Sequence, residues 1–421
     1  MPLPFSRRAL QTAPSFSRDF AGLKTLDHGV GPAITFTRAS NATFFDANGT
    51  LQTAANDTPR FDHDPATGAS RGLLIEESRT NGLRNSQAGG AIVGAPGTLP
   101  TNWGTVGITG GADVSREIVA TGTEAGMSYV DLRLYGTAST SMFVGFDTTT
   151  GIVAADGQTW TGSVYVKLVA GSMANIGSVR VQVRANDVSG SVLQSGSTTF
   201  TPSASLARYS HTLVFNNASI ARARSGLAFF DASGAIDITL RIAAPQLEQG
   251  AFPTSYIPTT TAAATRAADS AVVTPISSFY NQAEGTLFAE YITGAVNRGI
   301  VEFNVNSITD RVGIVNGSTG IPNGRSNVAS AVEAAIAIGS IPSAGEIVRF
   351  IFAAATDNFQ AARNGTLGTA DTLGAMPANL THARIGDIGS GSSANHICGH
   401  IRKIAYWPKR LSDTLLQQLT T

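Results

Sequence analysis

Three groups of residues have the types and spacing for chemistry. His396, Cys398 and His400 fall at i, i+2 and i+4, so on a strand they share one face and offer zinc-ligand types. The spacing fits no standard zinc module and no fourth ligand is evident, so no metal is expected. Asp62 and Asp64 in 61-FDHDPATG-68 begin like a calcium loop, which needs about six to eight oxygens from several alternating acids and a late Glu. The pattern stops at Pro65, and Asp64 reads instead as the start of an Asp-Pro turn. Glu76 and Glu77 resemble a glycosidase pair, but neighbours on a strand point to opposite faces and cannot flank one glycosidic bond. Local pairing with Arg60, Arg71, Arg79 or Arg84 is expected instead. No G-x-S-x-G, P-loop or dinucleotide fingerprint occurs, and His28, His63, His211 and His382 lie in no recognisable triad context. The expectation is a protein with neither catalytic residues nor a cofactor.

A fourth group has the chemistry of binding. Tyr129, Arg133, Tyr135, Tyr165, Lys167, Arg180, Gln182 and Arg184 occupy the polar positions of alternating segments. If gathered into one patch, their rings can stack on sugar faces while the cations and the amide bind hydroxyls and carboxylates. The bland alternative is a solvated outer sheet face. An excess of cations over acids there would favour an acidic polysaccharide. Of the tryptophans, Trp160 and Trp407 sit in apolar register and read as core, and Trp103 reads as a lid on a sandwich edge.

Strands must position these groups. Val130, Leu132 and Leu134 alternate with polar residues, as do Val179, Val181 and Val183, and Ile236, Ile238, Leu240 and Ile242. Such alternation argues for half-buried antiparallel sheet. Earlier, 34-ITFTR-38, 42-ATFF-45 and the turn at Asn48-Gly49 read as short hairpins. A Thr/Ala-rich stretch at 260–271 reads as a linker, and strand-rich sequence resumes from 286 onward. Ser412 is placed to cap a closing helix with Leu411, Leu415, Leu416 and Leu419 near one face. The expected fold is all-β, with an N-terminal hairpin-rich segment (1–88), a jelly-roll sandwich (89–265) and a second sandwich (266–421).

Composition narrows the function. Of 421 residues, 42% are apolar and only 14% charged, with 29 basic and 29 acidic residues. The balance and the lack of like-charge blocks leave no general handle for nucleic acid. A lone cysteine, Cys398, excludes an internal disulfide framework and fits synthesis in a cytoplasm. The N-terminal stretch lacks the apolar core of an export signal, and no run of about eighteen apolar residues occurs later, so membrane insertion is not expected.

The segments TRAS (37–40), the D-x-N-G turn at 46–49, PRFDHDP-x-TG (59–68) and GLLIEESRTN (72–81) occur in an order that resembles structural proteins of tailed bacteriophages and phage-derived particles. The rest of the chain is similar to the accessory modules of such proteins: a carbohydrate-binding-type jelly roll ending near PQLEQG-x-x-PTSYIPT at 245–259, then a concanavalin-like lectin domain ending in GHIRKIAYWPKRLS at 399–412. The resemblance implies a fibre or head-spike protein on a virion or gene-transfer particle. It implies binding of host capsular or surface polysaccharide, attachment to other particle proteins through the N-terminal segment, and a homo-oligomer, trimeric or pentameric. It transfers no catalytic residue.

Overall fold

Alternation translates directly into a packed sheet: on the strand Ser178–Asn186 the residues Val179, Val181, Val183 and Ala185 are fully buried, while Arg180 and Arg184 point the other way. The computed structural model describes residues 13–108, 113–149, 151–293, 298–390 and 395–421. The first twelve residues, part of the stretch in which no export signal is expected, lie outside the described residues. The chain is all-β, built of antiparallel sheets in sandwiches, and no helix among the described residues is long and apolar enough to cross a membrane.

Two compact units divide the chain: residues 1–78 together with 267–421, and residues 79–266. This differs from the expected succession of three segments. The strands before residue 78 are at most six residues long, too short to enclose a core of their own. They complete the sheets of the C-terminal sandwich instead. Phe16–Asp19 and Ser70–Ile75 both pair with Gly399–Trp407, and Thr35–Thr37 pairs with Ser270–Val273. The resulting nine-stranded and seven-stranded sheets enclose a core that includes Phe20, Leu73, Ile75, Tyr291, Phe303, Phe350 and Tyr406. The helix Asp413–Thr420 covers a second cluster, with Leu411 and Leu416 buried against Phe288, Ile351 and Trp407 and with Leu415 and Leu419 packed beside it. Ser412 occupies its N-cap but makes no side-chain capping bond.

In the unit 79–266 two sheets face each other. One runs Ser115–Glu124, Met127–Ala138, Gly234–Gln249, Thr159–Gly171, Ala207–Val214. The other runs Val192–Phe200, Ser178–Asn186, Arg222–Phe230, Met142–Gly145, Gly104–Val106, with Ile152–Val153 also paired to Arg222–Phe230. Between them lie Val130, Leu132, Val144, Trp160, Val164, Val181, Leu227 and Ile238. Trp103 belongs to this core, its ring 4.9 Å from Phe146 and its Nε1 donating to Asn85 O, so it is packing and not a lid. The stretch 245–259 closes the unit: the fully buried Glu248 carboxylate accepts from Gln246 Nε2, Thr254 N and Thr254 Oγ1 at 2.7–2.8 Å. Thr259 N donates to Ser86 Oγ, tying the end of the unit to its beginning.

Candidate functional site

The acid pairs that could do chemistry are held in ionic structure. Asp269 has no exposed surface; it accepts from Arg38 Nη1 at 3.2 Å, from Arg60 Nη2 at 2.6 Å and from Glu76 N at 2.8 Å. Arg60 also pairs with Glu76 at 2.8 Å, whereas Glu77 pairs with Arg298 at 3.2 Å. The two adjacent glutamates therefore diverge to different arginines. Asp64 accepts from Ala66 N and Thr67 N in its turn and pairs with Arg71. Burial works against ionisation of Asp62, but the His400 ring at 2.8 Å and the N–H of Phe45 hold its carboxyl below the usual range. His396 bonds the carbonyl of Asp269, so the two histidines turn to different partners. Cys398 has positive φ and is buried, and burial together with Glu77 pushes its thiol up to about 12. Among the described residues no three metal-ligating side chains converge.

The eight residues expected to form one binding patch fall on two opposed sheets. Tyr129, Arg133, Tyr135, Tyr165 and Lys167 lie on the five-stranded sheet, and Arg180, Gln182 and Arg184 on the six-stranded one. Alternation reports which face of its own sheet a residue takes, not which sheet it joins, so a single patch could not be read from it.

On the five-stranded sheet the charges cancel. Its strands carry Arg116, Arg133, Lys167, Arg208 and Arg241 against Glu117, Glu124, Asp131, Asp237 and Glu248. Arg133 bridges Glu117 and Asp237, Arg241 bridges Glu124 and Asp131, and Lys167 pairs with Glu124. The rings are taken as well. Arg241 lies 3.5 Å over Tyr129 and Arg133 lies 4.5 Å over Tyr135, while Tyr165 is buried. This face is a solvated charge ladder.

The six-stranded sheet is different. Its strands carry Arg180, Arg184, Arg222 and Arg224 and not one Asp or Glu. Arg184 lies opposite Arg224, and Arg222 lies opposite Asn186. The Arg184 guanidinium stacks 3.6 Å over the Phe143 ring, Arg224 lies 5.0 Å from the same ring, and Arg180 lies 4.4 Å over Phe230. Burial and the neighbouring Arg224 charge bring Arg184 down to about 10, so it remains a cation at neutral pH. Arg224 is lowered by burial, opposed by Asp147, whose backbone carbonyl accepts from its Nε. The Asp147 carboxylate itself is engaged by Arg84 at 2.5 Å. Arg222 Nε is buried with no hydrogen-bond partner among the described residues.

A row of glycines makes this layout possible. Gly104, Gly145 and Gly226 stand side by side on three neighbouring strands, leaving a floor without side chains. A Cβ at Gly145 would lie 2.5 Å from Arg224 Nη2 and 2.7 Å from its Cζ; the guanidinium fills the space the missing methyl leaves. Beside the arginines, the edge strand Val192–Phe200 puts Ser195, Ser197 and Thr199 directly opposite Arg184, Gln182 and Arg180. The outer face thus runs from hydroxyls through fixed guanidiniums to an apolar rim at Val106, which is 52% exposed. Arg222 and Arg224 are not among the residues expected from sequence, although the alternation in 222-RARSGLAFF-230 matches that of 180–184 and signals the same polar face.

No family model matches the chain, and no curated protein matches it. Among solved structures it is similar to the NanB sialidase from Streptococcus pneumoniae at 14% identity and a TM-score of 0.29, covering 36% of this chain and 26% of that one. It is similar to the tandem CBM22 domains of Paenibacillus barcinonensis Xyn10C at 12% identity and a TM-score of 0.26, covering 76% and 99% of the two chains. A tail fibre protein of an E. coli phage matches at 9% identity and a TM-score of 0.20, covering 79% of this chain and 40% of that one. The chain spans about a quarter of the length of the sialidase. These similarities fall short of a common fold.

Proposed function

We propose that this protein is an adhesin of a phage-like particle, a fibre or head spike that binds surface polysaccharide of the host cell without cleaving it. The observation that carries the reading is the outer face of the six-stranded sheet, where guanidiniums lie over phenylalanine rings next to a ladder of hydroxyls. A face of guanidiniums and hydroxyls suits a sugar chain, whose rings offer apolar faces and whose edges offer hydroxyls. Glycoside hydrolysis in most families uses two carboxyl groups about 5–9.5 Å apart, and the strands of this face carry none. The signature segments between residues 37 and 81, similar to those of particle proteins, support a place on a virion-like surface. Many copies on one particle would supply avidity, so weak binding by each is sufficient.

The test is a panel of immobilised bacterial capsular polysaccharides probed with the full-length protein, with the solution assayed for new reducing or unsaturated ends. Retention on at least one polymer without new ends is expected, as is reduced adsorption to cells by particles lacking the protein. New ends would make the protein a depolymerase, and unchanged adsorption would leave it a structural decoration.

A further inference from the structure

The two faces of the 79–266 sandwich differ in one respect that selects a ligand. The strands of one sheet carry five cations and five acids, whereas those of the other carry four arginines and no acid; the carboxylate that acts on Arg224, Asp147, lies outside the strands and is paired with Arg84. Folding alone gives no reason for this: two partly buried guanidiniums over one ring repel each other and lose hydration. Burial and the Arg224 charge both lower Arg184, and burial lowers Arg224 against the opposing pull of Asp147. A counter-charge brought by a ligand would relieve the repulsion.

We infer, building on the polysaccharide-binding reading, that the glycan bound here is acidic, with a carboxylate or sulfate of a sugar unit taken by the terminal nitrogens of Arg184. Arg224 is a positioning residue. Pressed onto the floor of Gly104 and Gly145, it adds positive potential beneath the site and keeps Arg184 over Phe143. The Nε of Arg184 is spent on Gln182 Oε1 at 2.7 Å, which fixes the plane of the guanidinium and leaves its outer edge for an oxyanion. Arginine suits this task because its planar fork matches two oxygens at once. Arg180 repeats the arrangement, with Nε on Ser178 Oγ at 2.9 Å and its head over Phe230. Each Nε bonds the residue two positions earlier, so the two heads lean the same way and stay about 13 Å apart, the span of four residues of strand. A polymer with an acid group on each repeat can therefore engage both. Ser195, Ser197 and Thr199 take the hydroxyls between them.

The test uses the full-length protein and three probes by calorimetry: a polyuronate, the same polyuronate after chemical reduction of its carboxyls to alcohols, and a sulfated glycan. The native polyuronate or the sulfated polymer is expected to bind, with affinity falling as salt rises, and the reduced polymer to bind at least about tenfold more weakly. The relative strength of the first and third probes assigns carboxylate or sulfate. Arg184→Gln should weaken binding by about 10–100-fold, and Arg184→Lys by less, since charge remains without the fork. The thermal midpoint of both variants is expected to equal or exceed that of the parent. Equal binding of native and reduced polymer would overturn the inference while leaving polysaccharide binding intact, whereas binding of no polymer of any charge would overturn both. Loss on Arg133→Gln in place of Arg184→Gln would move the site to the opposite sheet, and tighter binding of duplex DNA than of any glycan would replace the ligand class.

Discussion

Asp269 draws together arginines from 231 and 209 positions away in the chain, and burying Arg38 and Arg60 is tolerable only because their charges are met. Breaking such a buried group from one side costs far more than the group gains over apolar packing, on the order of 3–5 kcal/mol, because the remaining charges are stranded. Asp269→Ala is therefore expected to destabilise the 1–78/267–421 unit by about 3–5 kcal/mol in chemical denaturation. A loss below about 1 kcal/mol, the worth of an exposed pair, would contradict this account. Arg184 is the opposite case, since removing it strands no opposite charge and frees only the amide oxygen of Gln182. Part of this contrast is legible in the sequence. The acid pairs are expected to face arginines, and Arg60 with Glu76 and Arg71 with Asp64 do so. Asp269 is silent there, because a single carboxylate beside an Ala/Thr-rich stretch gives no local hint that distant cations converge on it.

Strands are the most legible elements, because burial of every second residue is a local property. Sheet membership is not, since hydrogen-bonding partners are chosen by the whole fold and two opposed sheets present the same alternation. That is why the sequence joins three residues of the arginine face with five from the opposite sheet, and why Arg222 and Arg224 do not stand out in it. The glycine row tests the element-level account. At Gly226 a Cβ would collide with the backbone carbonyl of Val144, while at Gly145 the nearest atoms all belong to the Arg224 side chain. Gly226→Ala should therefore lower stability by more than about 1 kcal/mol, beyond any gain from a stiffer unfolded chain. Gly145→Ala should leave stability within about 0.5–1 kcal/mol of the parent and weaken acidic-glycan binding severalfold by lifting Arg224. Calorimetry of the two variants, thermal and titration, separates these effects; equal stability losses would refute the distinction.

The 79–266 unit is inserted between two parts of another, and each unit secures its own side of the junction. Asp269 N donates to Glu76 O at 3.0 Å in one, and Arg79–Asn81 pairs with Ala264–Arg266 in the other. A chain in which residues 79–266 are replaced by a short Gly/Ser linker should retain a cooperative unfolding transition, because Ser70–Ile75 still meets Gly399–Trp407. A chain beginning at residue 267 should not, having lost the strands that pair with Gly399–Trp407 and Ser270–Val273. Circular dichroism melts of the two would decide, and a folded 267–421 fragment would refute the interleaved architecture. The same interleaving orders events on the ribosome. Phe16–Asp19 is made early but its partner strand ends at Trp407, so at about 5–20 residues per second its edge waits roughly tens of seconds. The inserted unit, whose strands all lie within one continuous stretch, can close first, while the early strands keep unpaired edges open to neighbouring chains until Gly399–Trp407 is made.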